Sequence, residues 1–583
     1  MPGVKYLSVL IFSAFIFPVF LFSEPLIIRE TEDTPDILAH YLTEYPVNLN
    51  TAPVDSLLMI PGFDHIIAGN IIENRPFRSV NSALVEAGFS PAEISNLIPY
   101  LTVSPSPRII PEQVQGNFSS WIDYGNQPDV LEKPQPWDLK TNLFLRYRCY
   151  QTGWCFEQDR GEQKFPDLIN GYIEYQGTSF RVLGGTQQIK TGAGLLLGQG
   201  QFGLRLFPAS FFSARGYSGS TELGLPLGLF TQYSHNWLNS WVFAGVRFYD
   251  AILDSNNQAT SLNTQGVHVS DLEIQRSRNF RTTEIDAGLY IPAVNAGVLV
   301  TSQHYSHPLL ITSSVPASNQ TGFALLFKPA FHNTEIFGEL AKISTGPLGG
   351  YLGVLSNFNK FRLLMAARHY QKDFYLPTSN PPSETRGENE EGIYLEVKTL
   401  YTRIKFSTFF NYSREVVSPS SNWRTEIHSE LSSNIESKTN LSLSYRFQSK
   451  KGESSGFPGI YPTRHQIRID LQNEFIDIYY LKCIATDSGF YNQGDAVAVQ
   501  TRLNLNKFSL GLFGAAYQTD SYASRVYLYK PGLPQTINYI IASGEGSFAR
   551  LYLSYQWGNY RIKAYTDFNT RENFSGVYIH ATI

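Results

Sequence analysis

The sequence predicts a mostly β protein: a large transmembrane antiparallel β-barrel of about 22 strands, an even number, preceded by a small all-α domain. Three observations predict it. From Leu139 onward, apolar and polar residues alternate with period two in runs of about ten residues, as in Leu441, Leu443 and Tyr445 against Ser442, Ser444 and Arg446. The composition is aromatic-rich (14%) and charge-poor (16%), below the roughly one-quarter charge of soluble domains, yet mean hydropathy is only −0.19. After residue 23 no run of about 18 apolar residues occurs, so multi-span helical membrane proteins are excluded. Disordered chains lack such aromatic content, and the pI of about 6.3 with net charge −4 is unlike a basic nucleic-acid binder.

In chain order, residues 1–23 read as a signal peptide: Lys5 precedes the apolar stretch Tyr6–Phe22, and Ser23 ends it. No Cys follows for a lipid anchor. Residues 33–103 form the helical domain. Thr51 with Pro53 and Asp55 marks a helix start, and Ser90-Pro91-Ala92-Glu93 is a capping box with Pro at the first helical position. Turns fall at Ile60-Pro61-Gly62-Phe63-Asp64 and at Ala87-Gly88-Phe89.

On Val47–Ala52, Ile60–Phe63 and Gly88–Phe89, about one eighth of the chain, this domain resembles the helix-hairpin-helix module of the ComEA-type competence proteins. The resemblance implies a nucleic-acid site whose backbone N–H groups face a phosphate, here at Pro61, Gly62, Phe63, Gly88 and Phe89. The copy is degenerate. Asp64 and Ser90 replace the second hairpin glycines, and Ile67 and Ala92 stand where the family carries Lys. Val47–Val103 holds two basic residues (Arg75, Arg78) and five acidic ones (Asp55, Asp64, Glu73, Glu86, Glu93), net −3. Non-specific affinity for DNA comes from neutralising phosphates, so the charge disfavours nucleic acid and favours a periplasmic protein contact.

Residues 104–138 are a Pro-rich linker that includes a first strand near Gly116–Tyr124, and 139–583 is the barrel. Short turns near Gly177, Asn357–Asn359, Asn506-Lys507 and Gly558-Asn559 alternate with long polar loops near 255–277, 378–391, 448–463 and 518–535. That asymmetry is the pattern of outer-membrane barrels, with the helical domain in the periplasm of a Gram-negative-type bacterium and lipid around the wall.

Candidate chemistry is sparse. Cys149 and Cys155 could close a small disulfide loop in an oxidising compartment. Arg446, Arg468, Arg502, Arg561 and Lys563 fall on polar faces and predict a basic lumen that favours anions. Gly198–Gly203 matches G-x-G-x-x-G but does not open a helix, so Thr191–Gly216 reads instead as a glycine-rich strand or a lumen plug. His304 and His307, expected in a loop, lack further ligands, and Glu384, Glu388, Glu390 and Glu391 read as a solvated acidic loop. No metal or cofactor is expected, and no enzyme, since neither G-x-S-x-G nor H-E-x-x-H occurs. The expected function is a channel, translocation component or surface scaffold. The alternatives are DNA binding or uptake through the hairpin module, and a barrel-rim enzyme.

Overall fold

In the computed structural model, described positions are scattered between 47 and 103 and cover most of 114–582; the longest gaps there are 127–136, 199–210, 264–270, 452–461 and 530–538. The signal peptide, Pro61, Gly62, Gly88 and Phe89 lie outside the described residues.

Successive antiparallel hairpins run from β1 (Gln115–Asn126) to β24 (Asn573–Thr582), and β24 pairs back on β1 from Asn117↔Thr582 to Asn126↔Asn573. The closed ring has 24 strands, even as expected but two more than the central expectation. The wall starts at Gln115 rather than 139. Some strand boundaries are faint because β11 (Thr334–Ile343) and β12 (Leu348–Phe358) are separated by only four residues, 344–347, on the long-loop side. Closure joins the last strand to the first, so the sheet has no edge strand.

Period two does here what it did in the sequence. On β17 (Thr439–Lys451), Leu441, Leu443 and Tyr445 are exposed on the outside, while Ser442, Ser444 and Arg446 point inward. Ile467 and Ile469 on β18 (Thr463–Asn473) and Val577 and Ile579 on β24 extend the outer apolar belt. Tyr147, Tyr150, Trp237, Phe358, Phe508, Trp557 and Tyr560 ring its short-turn end. An apolar exterior that wide, bordered by aromatics, is stable only against lipid.

Two-residue turns at 148–149, 506–507 and 558–559 place Arg148, Asn506 and Gly558 at positive φ, which matches the twist of the flanking strands. They share one end with both barrel termini. The loops 254–279, 371–389 and 520–544 occupy the other end, as the length pattern predicted.

The described part of 47–103 has its own core, in which Leu49, Leu57, Ile60, Ile71, Ala83, Leu84 and Leu97 are buried. Val47–Asn48 pairs in parallel with Leu101–Thr102, and a helix spans Val80–Glu86. Asn50 binds this unit together: its amide accepts from Phe77 N (2.7 Å) and donates to Phe77 O (3.0 Å) and Val103 O (2.9 Å).

Candidate functional site

The lumen holds a segment of the chain itself. β5 (Phe180–Thr191) pairs with β4 (Leu168–Gln176) and β6 (Leu227–His235) only through its first half, then bends inward and pairs over Gln187–Thr191 with an inner strand, Phe212–Gly216. The bend is Gly185 at φ +111°, where a Cβ would lie 2.3 Å from Gly171 O. Only glycine fits that turn. The notch left in the wall is covered by the next stretch of chain, since Asn170 Nδ2 donates to Gly219 O (2.8 Å) and Thr221 O (2.9 Å). One face of the inner layer is apolar: Phe212 stacks on Trp241 at 4.5 Å and on Phe230 at 5.3 Å.

Beyond Thr191 the chain turns through Gly192 (φ +48°) and Gly194 (φ +85°). These conformations aim successive backbone N–H groups at one point, an arrangement that holds anions. The anion is the carboxylate of Glu339, in the middle of β11. Its Oε2 accepts from Ala193 N at 2.7 Å and Leu195 N at 3.4 Å, and the side chain is fully buried. Leu195, Leu196 and Leu197 are likewise buried, against a core that includes Leu326, Phe337, Phe374 and Leu376.

Phe374 and Leu376 belong to the loop between β13 (Phe361–Tyr370) and β14 (Glu390–Tyr401), which folds inward to clasp the segment. Thr378 Oγ1 donates to Leu196 O (2.7 Å) and accepts from Gln303 Nε2 (2.6 Å). Thr378 O accepts from Gly198 N (2.9 Å), and Asn380 N donates to Gly194 O (3.0 Å). Across the lumen, a hairpin of Val526–Tyr529 and Tyr539–Ala542 packs Val526, Leu528 and Ala542 against Leu481, Phe513 and Phe548. Of the Thr191–Gly216 reading, the described part folds into the lumen as a plug would, whereas 199–210 lie outside the described residues.

All five predicted basic residues sit on inward faces, but a basic lumen does not follow. Arg446 Nε donates to Glu426 at 2.8 Å, and Arg468 holds Asp470 through two bonds of 2.7 and 2.9 Å. Arg502 donates to Ser509 Oγ at 2.6 Å, and Arg561 is exposed beside Gln556. Lys563 lies on the same inward face of β23 (Tyr560–Asn569). Other inward arginines are matched across strands: Arg247 with Glu284, Arg368 with Glu390, and Arg550 with Asp567 at 2.5 and 2.7 Å. Sequence reading missed these because their partners lie on neighbouring strands, in runs whose alternation is less regular.

Three further expectations are corrected. No disulfide joins Cys149 to Cys155: Cys149 closes a turn and Cys155 lies along β3 (Tyr150–Gln158), so six extended residues separate them by about 20 Å, far beyond disulfide reach. His304 and His307 lie in β9 (Ala296–Leu309), not in a loop. The acidic loop is not a solvated cluster. Glu384 pairs with Arg424 and accepts from Asn411 Nδ2, Glu390 faces inward on Arg368, and Glu391 faces outward on Arg414; Glu388 lies outside the described residues. Burial lifts the Glu384 carboxyl above its ordinary range, with Arg424 opposing. In the N-terminal unit, Phe63 is buried, and Arg75 is spent internally, donating to Leu49 O (2.6 Å) and Ala52 O (2.5 Å).

Fold and site together define a membrane-spanning β-barrel into whose lumen segments of its own chain fold. No protein-family model matches the chain, and no curated protein is similar to it in sequence. Among solved structures, it is similar to the P pilus usher (PapC) translocation pore at 9% identity, covering 81% of this chain and 99% of that one with a TM-score of 0.36. It is also similar to OccAB2 of Acinetobacter baumannii (9% identity, 81% and 98% covered, TM-score 0.29). A third is the siderophore receptor PirA of Acinetobacter baumannii (6% identity, 82% and 81% covered, TM-score 0.40). These overlaps are loose, and none lends its role to this chain.

Proposed function

We propose that the chain is an outer-membrane barrel that serves as a channel or translocation pore, held closed at rest by its own lumen segments. The supporting observation is the latch: a glycine turn at 192–194 on a wall carboxylate, Glu339, clasped from the other side by Thr378 and Asn380. A surface scaffold needs no such bond from a wall residue to an inward-folded segment that a second loop also clasps. Short turns at the end where both barrel termini lie support a periplasmic position for that end. The matched inward charges support a lumen of weak charge preference rather than an anion-selective one.

The N-terminal unit is proposed to be a periplasmic protein-contact module that resembles a helix-hairpin-helix fold and has lost its phosphate site. The internal role of Arg75 and the net acidity of the unit support that reading over DNA binding.

Purified protein in planar bilayers tests the pore. The intact chain is expected to be largely silent, and deletion of 192–211 to produce stable, weakly selective conductance. A folded, heat-modifiable barrel that stays silent after that deletion would overturn the pore in favour of a scaffold.

A further inference from the structure

The wall is incomplete between β4 and β7 (Leu238–Leu253). β5 leaves it at Gly185, and β6 starts only at Leu227, beside Thr186. Above that level β4 pairs with β5 no further than Tyr172, and β7 pairs with β6 no further than Val246. Two strand halves are therefore missing, and at a spacing of about 4.8 Å they leave β4 and β7 roughly 14 Å apart. An irregular strap, described at 217–219 and 221–226, crosses this window. On one side Asn170 Nδ2 holds Gly219 O and Thr221 O. On the other, Gly224 N donates to Phe248 O (2.9 Å) and Arg247 Nη1 donates to Gly224 O (2.9 Å). At the sill, Tyr217 N donates to Thr186 O and Gln187 N to Pro226 O, both at 2.9 Å. Scattered bonds, not a strand ladder, tie the strap to the wall.

The window opens within the apolar belt, in the half nearer the long loops, since β5 rises from the short turn at 177–179. Ile169 on β4 and Ile252 on β7 flank it and are exposed outward, with Leu227 and Leu229 below. Its inner side is polar. Lys140, Asn142, Glu157 and Asn170 face inward on β2 (Trp137–Tyr147), β3 and β4, all buried, with Lys140 opposite Glu157 in the register. Irregular backbone exposed to lipid is unstable in the hydrocarbon region and persists only where it is buried or borders a wet cavity. We infer that the strap covers a lateral port, through which an acyl-chain amphiphile passes between the lumen and the outer-leaflet hydrocarbon. The inference rests on the pore and the orientation proposed above. The two sides of the window select the occupant. A polar head suits the lining of Asn142, Glu157 and Asn170, and its chain suits the belt at Ile169 and Leu227. A purely polar solute gains nothing from an exit into lipid, and a purely apolar one leaves that lining without hydrogen-bond partners. The inner strand Phe212–Gly216 runs directly into the strap, so withdrawal of the lumen segment and opening of the port move one stretch of chain.

The test places the full mature chain, checked for heat-modifiable folding, in proteoliposomes with stearic acid carrying a mid-chain diazirine. Residues labelled on irradiation are read by peptide mass spectrometry. Label is expected on inward Asn142 and Glu157 and on Tyr217, besides outward Ile169 and Ile173. In a chain whose Cys149, Cys155 and Cys483 are replaced by serine, Asn170→Cys and Gly219→Cys are introduced where side chain and backbone already lie 2.8 Å apart. Oxidation of that pair is expected to abolish the inward label and spare the outward label, and reduction to restore it. Asn170→Ala, which frees the strap from β4, is expected to raise the inward label above the wild-type level, and it decides the matter whether or not the cysteine pair oxidises. Inward label that Asn170→Ala does not raise, or that survives oxidation, overturns the port. Conductance after deletion of 192–211 reads the pore separately: a silent deletion variant refutes the pore, whereas a conducting one without strap-dependent label refutes the port alone.

Discussion

Glu339→Ala isolates the latch. The side chain is fully buried, and it accepts one short and one long hydrogen bond from the backbone of the lumen segment. A hydrogen bond to a charged group contributes about 1.5–3 kcal/mol, and N–H groups left without an acceptor in an apolar setting cost about 1–3 kcal/mol each. Loss of the carboxylate's own desolvation cost offsets part of this. A net weakening of about 3 kcal/mol shifts the closed-to-open ratio roughly a hundredfold. Single-channel recording reads this directly as open probability. Glu339→Gln, which keeps an acceptor, should fall between the two. If Glu339→Ala is as silent as the intact chain while the 192–211 deletion conducts, the carboxylate is not what holds the segment, and the reasoning fails.

The remaining predictions address the turn, the loop, the wall and the cysteines. Gly194→Val should also raise open probability, because φ +85° strains a branched residue and its Cβ would sit 2.9 Å from Asn380 O; an unchanged conductance trace would argue against the clasp. Because burial raises the Glu384 carboxyl, its contribution to docking of the 371–384 loop is present at low pH and is lost as pH rises through the folded-state pKa, above the ordinary carboxylate range. Glu384→Gln should remove that dependence of closed-state probability, and parallel pH profiles for the two proteins would contradict it. Arg550→Ala strands buried Asp567 and should cost about 3–5 kcal/mol, seen as a lower temperature of heat-modifiable unfolding, whereas Arg561→Ala, which is exposed, should leave that temperature nearly unchanged. Oxidised and reduced protein should migrate identically, since Cys149 and Cys155 are about 20 Å apart along an extended strand; a redox-dependent shift would show that this hairpin is misdescribed.

The barrel was readable because its rule is local. A residue's side of the wall depends only on odd or even position, so Leu443 and Ser444 declare lipid and lumen without knowledge of any neighbour. Loop-length asymmetry is equally local, and it correctly assigned Asn506 and Gly558 to one end. The strand number was less legible, because β1 lies inside a Pro-rich linker and short connections such as 344–347 blur boundaries.

What the lumen holds depended on tertiary structure. The contact of Glu339 with Ala193 joins residues 146 apart, and that of Thr378 with Leu196 joins residues 182 apart. Nothing in the residues near Glu339 distinguishes an anchor for a glycine turn from any other lumen carboxylate. The glycines at 192 and 194 did announce a special backbone, but not the anion it would face. The lumen charge went the same way: Arg446 and Arg468 are visible as basic residues, while their neutralisation is a matter of register and pairing across the wall. Alternation along one strand, with its turn lengths, determined a membrane barrel from sequence alone. Which segments turn into that barrel's lumen, and how its charges balance, was decided only when distant strands and loops were brought together, because those interactions have no period along the chain.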